Sequence, residues 1–233
     1  MRICRTFAAL LLLLPFYACA ADLQCVAPAA LTTQAYDKTP SDERQPCLRH
    51  TVTTPTEYFK LALSWSPKFC ASVSAGGKVA ERFAYQCGEG NKFGWIVHGL
   101  WGQLFNPTMC KDETTSPPRL TPQHPRYCKG NLPALSAAEL LPYMCTQPGE
   151  ALLQGEWESH GACDFPTATA YFEQTRKLFR ALKVPRENMP QEQLLQWMAD
   201  NNAALKGRRL GYTRYTGKMA VCYSTTYQVI DCP

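Results

Sequence analysis

The sequence predicts an α+β fold: a single disulfide-bonded domain with a central, mainly antiparallel sheet flanked by helices. The chain has 233 residues and is 45% hydrophobic, which is enough for one core of ordinary domain size. Strand and helix patterns follow each other in mixed order, without the regular succession of a doubly wound sheet. The 12 cysteines and 18 prolines are typical of a turn-rich chain held by covalent bridges.

The first twenty residues have the pattern of a secretory signal peptide. Arg2 and Arg5 precede the apolar run Phe7 to Phe16, and Ala18-Cys19-Ala20 supplies the small residues of a cleavage site. The run of about ten residues is shorter than the roughly 20 that cross a bilayer, so we expect no membrane span. A lipidated cysteine is the alternative, but bulky aromatic residues precede Cys19. We predict export: to the periplasm or exterior of a bacterium, or to the exterior, vesicles or vacuole of a eukaryote.

Signal cleavage after Ala20 would change both the cysteine count and the charge. It would remove Cys4 and Cys19 from the 12 cysteines and leave an even set of ten, which predicts that all of them pair. Spacing alone does not choose the pairing. Loss of Arg2 and Arg5 would lower the net charge from +5 to +3. This mild positive charge permits a polyanionic partner without requiring one.

The mature chain divides into an irregular N-terminal segment, residues 21–56, and a domain over residues 57–233. The segment lacks periodicity and is predicted to be tied down through Cys25 and Cys47. A first strand that ends at Pro67 is predicted by the alternation of Phe59, Leu61, Leu63 and Trp65. A second strand is predicted over Phe93 to Trp101, with two residues on each face: Trp95 and Val97 on one, Ile96 and His98 on the other.

Helices are predicted in the second half of the domain. Ser136-x-x-Glu139 before Leu140 is a capping box, which predicts a helix start. Helical spacing predicts a second helix with the residues Tyr171, Phe172, Thr175, Leu178, Phe179 and Leu182. A third helix is predicted to begin near Pro190 and to carry Leu194, Leu195 and Met198.

The C-terminal residues return to a strand pattern. Alternation of Met219, Val221 and Tyr223 predicts a strand before Ser224-Thr225-Thr226. Tyr227 to Ile230 would then run back beside it as a hairpin closed by a Cys222–Cys232 bridge.

Two of the four histidines stand in segments that suggest chemistry. His98 lies within Gly94 to Trp101, and His160 lies within Gly155 to Cys163. On a helix, Glu156 and His160 would share a face because they are four residues apart. The alternative is that His98 packs within a strand and that Glu156 and His160 form a surface pair.

The sequence lacks the motifs of several classes of enzyme. Gly155 stands where the zincin motif needs its first histidine, and the close Cys-x-x-Cys pairs of many zinc sites are absent from the sequence. The Gly-x-Ser-x-Gly motif of serine hydrolases is also absent. Cysteines that all pair leave no thiol nucleophile. Acid/base chemistry by two histidines remains, since such side chains titrate near neutral pH.

Four segments of the chain resemble landmarks of the ribonuclease T2 family, in family order. They are Leu61 to Cys70, Ile96 to Trp101, Glu156 to Cys163, and Val221 to Pro233. The resemblance implies an α+β fold and cofactor-free, metal-independent cleavage of single-stranded RNA through a 2′,3′-cyclic phosphate. We expect a monomer.

The resemblance also implies roles for individual residues. His160 would be the general base, His98 the general acid, and Glu156 would orient or stabilise the site. Trp101 would stack on a base, with core packing as the alternative. Gln103 stands where a side chain of the family often contacts the base. His50 and His124 are expected to be surface or structural residues.

Two disulfides are implied by the same resemblance. Cys110 would bond Cys163, and Cys70 would bond Cys87. The first of these bridges would help to fix His98 relative to His160. The alternative is that all the bridges only stabilise the fold.

The chain departs from the family pattern at Gly155, Ser159 and Gly102, which replace a usual histidine, lysine and proline. The first two changes remove donors to the phosphate, and one oriented donor is worth about 10²- to 10³-fold in rate. Lys68, His124 or an arginine could substitute. The alternative function is therefore a weakly active or inactive secreted protein of the same fold that binds RNA or a protein partner. A purely structural module would leave the histidine segments unexplained.

Overall fold

The computed structural model describes residues 25–36, 46–74, 77, 79–88, 90–113, 115–213 and 218–233, so the predicted signal peptide lies outside the described residues. The strands are β1 (Tyr58–Trp65), β2 (Trp95–Gln103), β3 (Met109–Asp112), β4 (Arg119–Pro122), β5 (Gly211–Thr213), β6 (Lys218–Ser224) and β7 (Val229–Ile230). The α-helices are α1 (Pro46–Arg49), α2 (Ser66–Val73), α3 (Ala84–Cys87), α4 (Ala137–Leu140), α5 (Glu150–Glu156), α6 (Ala162–Asp164), α7 (Ala168–Arg180) and α8 (Gln191–Asn201). Short 3-10 turns lie at Glu81–Phe83, Leu141–Tyr143 and Ala203–Leu205, and a π-helical turn lies at Trp157–Gly161.

The described strands form a five-stranded antiparallel sheet and a separate two-stranded ribbon. The sheet order is β2-β1-β6-β5, with β7 also paired to β6. β3 and β4 form the ribbon. α7 packs against β1 and β2, and its apolar residues share one core with the sheet. The predicted α+β class with an antiparallel sheet and flanking helices is confirmed.

Alternation along β1 gives the sheet two different faces. Leu61 and Leu63 are fully buried in a core that they share with Phe172 of α7. Burying such a side chain stabilises the fold by about 1.5–3 kcal/mol, which fixes the register of the strand. Lys60 points to the opposite face and is partly exposed. One face therefore builds the core and the other is available for charged groups.

β2 departs from the predicted alternation at His98. The residues on either side of it, Val97 and Gly99, pair with adjacent residues of β1, so His98 is an extra residue in the strand. Such a β-bulge changes the direction of the side chains that follow it. Val97 and Leu100 consequently both lie in the core, although strict alternation would place them on opposite faces.

The predicted helices and the C-terminal hairpin are confirmed. Ser136 and Glu139 form the capping box at the start of α4. α7 begins after Thr167, whose side chain accepts a hydrogen bond from the Ala170 N–H, and α8 begins directly after Pro190. β6 and β7 pair as the predicted hairpin.

Five disulfides join described cysteines: Cys25–Cys145, Cys47–Cys110, Cys70–Cys87, Cys128–Cys163 and Cys222–Cys232. The predicted Cys70–Cys87 and Cys222–Cys232 bridges are confirmed, and Cys25 and Cys47 tie down the N-terminal segment. The predicted Cys110–Cys163 bridge is wrong.

The wrong disulfide prediction has a structural reason. Cys110 lies on β3, which packs against α1 and thus against Cys47. Cys163 instead lies near Cys128, because the Tyr127 N–H donates to the Ser159 carbonyl at 2.9 Å. The bridge at the second histidine segment therefore ties it to the chain just after β4.

The described part of the N-terminal segment contains α1 and a single bridge between Val52 and Arg126. Its bounds, and those of the domain over residues 57–233, remain predictions. Within the described residues, every helix is too short or too polar to cross a membrane.

Candidate active site

The bulge in β2 holds His98 at the edge of the described sheet. Gln147 donates a side-chain hydrogen bond to the His98 carbonyl at 3.2 Å. The hydroxyl of Tyr171 accepts a hydrogen bond from the Leu100 N–H at 3.0 Å. These bonds satisfy backbone groups that a regular ladder would otherwise pair. Side chains from neighbouring segments therefore fix the backbone around His98.

The second histidine segment begins as a regular helix and then widens. α5 ends at Glu156, and Trp157–Gly161 forms the π-helical turn, a rare geometry that is frequent at functional sites. Glu156 and His160 both lie against Trp101 of β2. The four-residue spacing thus brings both side chains to one place, as the sequence predicts.

Glu156 is a buried carboxylate at the centre of this cluster. Its Oε1 lies 3.0 Å from Nδ1 of His98, and its Oε2 accepts a hydrogen bond from Nε1 of Trp101 at 2.7 Å. Burial acts to raise the pKa of Glu156, but the two histidines and the Trp101 hydrogen bond outweigh burial and hold that pKa below its ordinary value. Glu156 is therefore ionised at neutral pH, and its position beside His98 suits it to balance a positive charge there.

The indole of Trp101 contacts both histidines. Its ring centroid is 5.4 Å from that of His98, which it meets edge-on, and 5.4 Å from that of His160. Gly99 makes this arrangement possible. A Cβ at Gly99 would collide with the Glu156 carboxylate and would lie 2.6 Å from Nε1 of Trp101.

His160 has an environment that favours the neutral imidazole. Burial lowers its pKa to about 4, and the positive charges of Arg126 and His98 act in the same direction. Glu156 and the Pro125 carbonyl oppose this shift without cancelling it. His160 is thus unprotonated near neutral pH and can accept a proton.

Arg126 is a fixed cation near His160. It is buried, and its guanidinium donates to the backbone carbonyls of His124, Leu48 and Pro122 at 3.2–3.3 Å. These acceptors are uncharged, so the positive charge of Arg126 acts on the histidine without neutralisation by a hydrogen-bonded carboxylate.

His124 lies closer to the site than the sequence indicates. Its Nδ1 accepts a hydrogen bond from the Leu104 N–H at 3.1 Å, which is a structural role. Burial, with the charges of Arg126, Lys60 and His160, lowers its pKa to about 4. The sequence offers His124 only as a candidate substitute donor, because it stands in an aperiodic stretch among prolines.

Glycine at two departures from the family pattern is explained by what packs there. A Cβ at Gly155 would lie 3.1 Å from the ring of Tyr36 in the N-terminal segment. A Cβ at Gly102 would collide with Oγ1 of Thr56 and lie 2.7 Å from Oδ2 of Asp164. The side chains of Tyr36, Thr56 and Asp164 therefore occupy the space that a larger residue would need.

The other predicted residues lie outside the histidine cluster. Gln103 is two residues beyond Trp101 on β2, buried, and its side-chain N–H donates to the Gly102 carbonyl at 2.7 Å. Lys68 is exposed on α2, and His50 is exposed in the N-terminal segment. Ser159 presents its carbonyl to Tyr127.

Chemically, the cluster offers one histidine paired with a carboxylate and one histidine kept neutral. Two titratable groups with opposed environments suit the acid and base roles of one reaction. In the described ranges, no three His, Cys, Asp or Glu side chains are grouped as metal ligands would be.

Comparison with known proteins gives matches to ribonucleases and a ribonuclease-related protein. The model of the Ribonuclease T2 family matches residues 56–204. A probable ribonuclease of Haemophilus influenzae is 42% identical over 180 residues, 76% of this chain. The chain spans only 61% of the length of that relative.

Solved structures share the fold at low sequence identity. An RNase-related protein from Calystegia sepium aligns with a TM-score of 0.52 and 18% identity, over 77% of this chain and 92% of that one. RNase NT, solved in complex with 5′-AMP, aligns with a TM-score of 0.50 and 16% identity over the same shares.

Proposed function

Because the chain belongs to the ribonuclease T2 family, we propose that it is an endoribonuclease that cleaves single-stranded RNA through a 2′,3′-cyclic phosphate, without a metal ion. The observation that carries the proposal is the pairing of two histidines with different environments about Glu156 and Trp101. The 5′-AMP bound to RNase NT is consistent with a ribonucleotide ligand.

The reaction needs a base and an acid on opposite sides of the phosphorus. RNA supplies its own nucleophile, the 2′-hydroxyl, and neutral His160 takes its proton. The 2′-oxygen attacks phosphorus, and the bond to the 5′-oxygen breaks as protonated His98 gives that oxygen its proton. Glu156 stabilises the positive His98 before transfer. The products are a 2′,3′-cyclic phosphate end and a 5′-hydroxyl end.

Trp101 serves two purposes in this proposal. Its N–H fixes Glu156, while its ring lines an adjacent cleft and is partly exposed. An aromatic face of this kind stacks on a base, typically for about 1–3 kcal/mol. Gln103 is proposed to contact the base through its remaining amide oxygen.

The second candidate function is a weakly active or inactive protein that binds RNA or a protein partner. It is favoured by Gly155 and Ser159, which supply no side-chain cation or imidazole to the phosphate. Arg126 is only a partial substitute for them, because three of its five N–H donors are used by backbone carbonyls.

Export, action as a monomer and the absence of a cofactor are also proposed. The described disulfides are consistent with an oxidising compartment.

The test is cleavage of RNA by oxidised mature protein in excess EDTA, with detection of acid-soluble fragments and cyclic-phosphate ends. We expect His98→Ala and His160→Ala each to reduce the rate by about 10²- to 10⁴-fold, because each removes one proton-transfer group. His50→Ala is the matched control and should keep full activity, since His50 is exposed. A wild type no faster than its two catalytic variants would favour the binding protein instead.

A further inference from the structure

A cleft with positive charge lies on the sheet face opposite the core, beside the histidine cluster. It has a volume of about 300 Å³ and is lined by Lys60 of β1 and Lys218 of β6. Its floor is made of small residues, Ala62, Ala220 and Gly211, which leave room above the strands. We call this space the cationic cleft. Its size is at the lower end of the range for ligand pockets.

The two lysines form no salt bridge within the described residues. No described carboxylate lies within salt-bridge distance of either ammonium group. Lys218 Nζ instead lies 6.0 Å from the centroid of the Trp101 ring. Burial lowers the pKa of Lys60 and of Lys218, and Lys60 adds to the shift at Lys218 whereas Glu156 opposes it. Two half-buried cations that repel each other would gain from a shared anion.

Arg209 adds a third cation at the far end of the cationic cleft. Its Nε donates to the Cys232 carbonyl at 2.6 Å, which fixes the guanidinium, and its backbone N–H donates to Asp231. Because Asp231 lies close to Arg209, the two lysines carry the argument.

The cationic cleft adjoins the histidine cluster without containing it. Trp101 lines the cleft, but His98, Glu156 and His160 do not. An anion held by the lysines would therefore lie beside the indole and apart from the groups that transfer protons. It would be a neighbour of the phosphate that reacts, and not that phosphate itself.

We propose that the cationic cleft is a subsite for a second phosphodiester group of the RNA chain, next to the linkage that is cleaved. The proposal rests on the proposed function, because it assumes that RNA occupies the histidine cluster. It makes the enzyme selective for chains of several nucleotides over a dinucleoside monophosphate, which has only one phosphate to offer.

The test compares kcat/KM for a dinucleoside monophosphate and for a tetranucleotide of matched sequence. Charge-assisted hydrogen bonds predict a loss of about tenfold on the tetranucleotide for Lys60→Gln and for Lys218→Gln. Neither variant should change the dinucleoside rate. Lys60→Arg and Lys218→Arg should keep most of the tetranucleotide rate. Lys177 is an exposed lysine on α7, and Lys177→Gln is the matched control. Equal losses on both substrates, or no loss on either, would overturn the subsite.

A binding measurement separates this proposal from the proposed function. Uncleavable 2′-O-methyl oligonucleotides of two and four residues are titrated into the wild type and the Lys60→Gln/Lys218→Gln variant. We expect the variant to lose affinity for the four-residue chain only. The slope of log K against log salt concentration should become shallower by about 0.7 for each phosphate contact that is lost. This result would support the subsite even if the wild type cleaved no RNA. Unchanged affinity would overturn the subsite even if the wild type were active.

Discussion

The histidine cluster and the cationic cleft share one indole but differ in how their charges are partnered. Glu156 holds His98 and Trp101 by direct contacts of 3.0 and 2.7 Å. Lys60 and Lys218 have no described carboxylate within salt-bridge distance. Groups fixed by partners are oriented before substrate arrives, which proton transfer requires. Cations without partners have their charge available for a ligand. Trp101 thus contacts both a region arranged for reaction and a region arranged for binding.

The prediction with the largest expected effect removes the negative charge of Glu156, at the centre of the histidine cluster. We expect Glu156→Gln to lower kcat by about 10²- to 10³-fold, because protonated His98 loses its counter-ion while the shape is kept. KM for a tetranucleotide should change little, since the binding charges lie elsewhere. Steady-state kinetics on RNA oligonucleotides measure both quantities.

Asp164→Asn is the matched control for Glu156→Gln. Asp164 is a carboxylate beside β2 that accepts a hydrogen bond from Thr56 and does not contact a histidine. Its neutralisation should leave kcat within about twofold. If Glu156→Gln instead raised KM with unchanged kcat, the division between reacting and binding regions would be wrong.

The fold could be predicted where one face of an element is buried. β1, α7 and α8 show the apolar periodicity of such elements, and the capping box at Ser136 has a local signature. The segments that carry His98 and His160 could be found because they resemble landmarks of the ribonuclease T2 family.

Features that depend on distant parts of the chain could not be predicted. The bulge at His98 is a property of the pairing between β1 and β2, and no residue type in β2 predicts it. The partner of Cys163 is decided by a backbone hydrogen bond between Tyr127 and Ser159. Lys60 and Lys218 line one cleft only because antiparallel pairing puts β1 beside β6.

A second prediction concerns how tightly Tyr36 packs against Gly155, next to Glu156 of the histidine cluster. Gly155→His should destabilise the fold by about 1–3 kcal/mol, because its Cβ alone would come within 3.1 Å of the Tyr36 ring. Adding Tyr36→Ala should remove part of this loss, which a double-mutant cycle of urea unfolding measures. Gly90→His is the control: nothing lies within 4 Å of a Cβ there, so the change should stay within about 0.5 kcal/mol.

The double variant also bears on the alternative function. If histidine at position 155 raises RNA cleavage strongly once Tyr36 is truncated, the missing donor limits the natural chain. If the rate does not change, the groups already present serve the phosphate. A Gly155→His variant as stable as wild type would show that Tyr36 does not occupy the space.

The smallest expected effect concerns pH, at the border between the two regions. Burial and the charges of Arg126, Lys60 and His160 lower the pKa of His124 from 6.5 to about 4 on folding. Between pH 6.5 and 4 the unfolded chain therefore binds a proton that the folded chain does not, so stability falls as pH falls. His124→Asn keeps an acceptor for the Leu104 N–H but does not titrate. Between pH 6.5 and 4, the free energy of unfolding of the variant should therefore fall by about 1–2 kcal/mol less than that of the wild type. This figure is reduced because His124 is partly exposed.

Urea unfolding at several pH values, with the disulfides intact, measures the difference. His50→Asn should leave the slope of stability against pH unchanged, because His50 is exposed. Lys60→Gln should make the slope slightly shallower, since it removes one of the charges that disfavour protonated His124. Identical slopes for wild type and His124→Asn would mean that His124 takes up its proton in the folded chain without penalty. The positive charge of the cationic cleft would then not reach the histidines, and the two regions would be electrostatically independent.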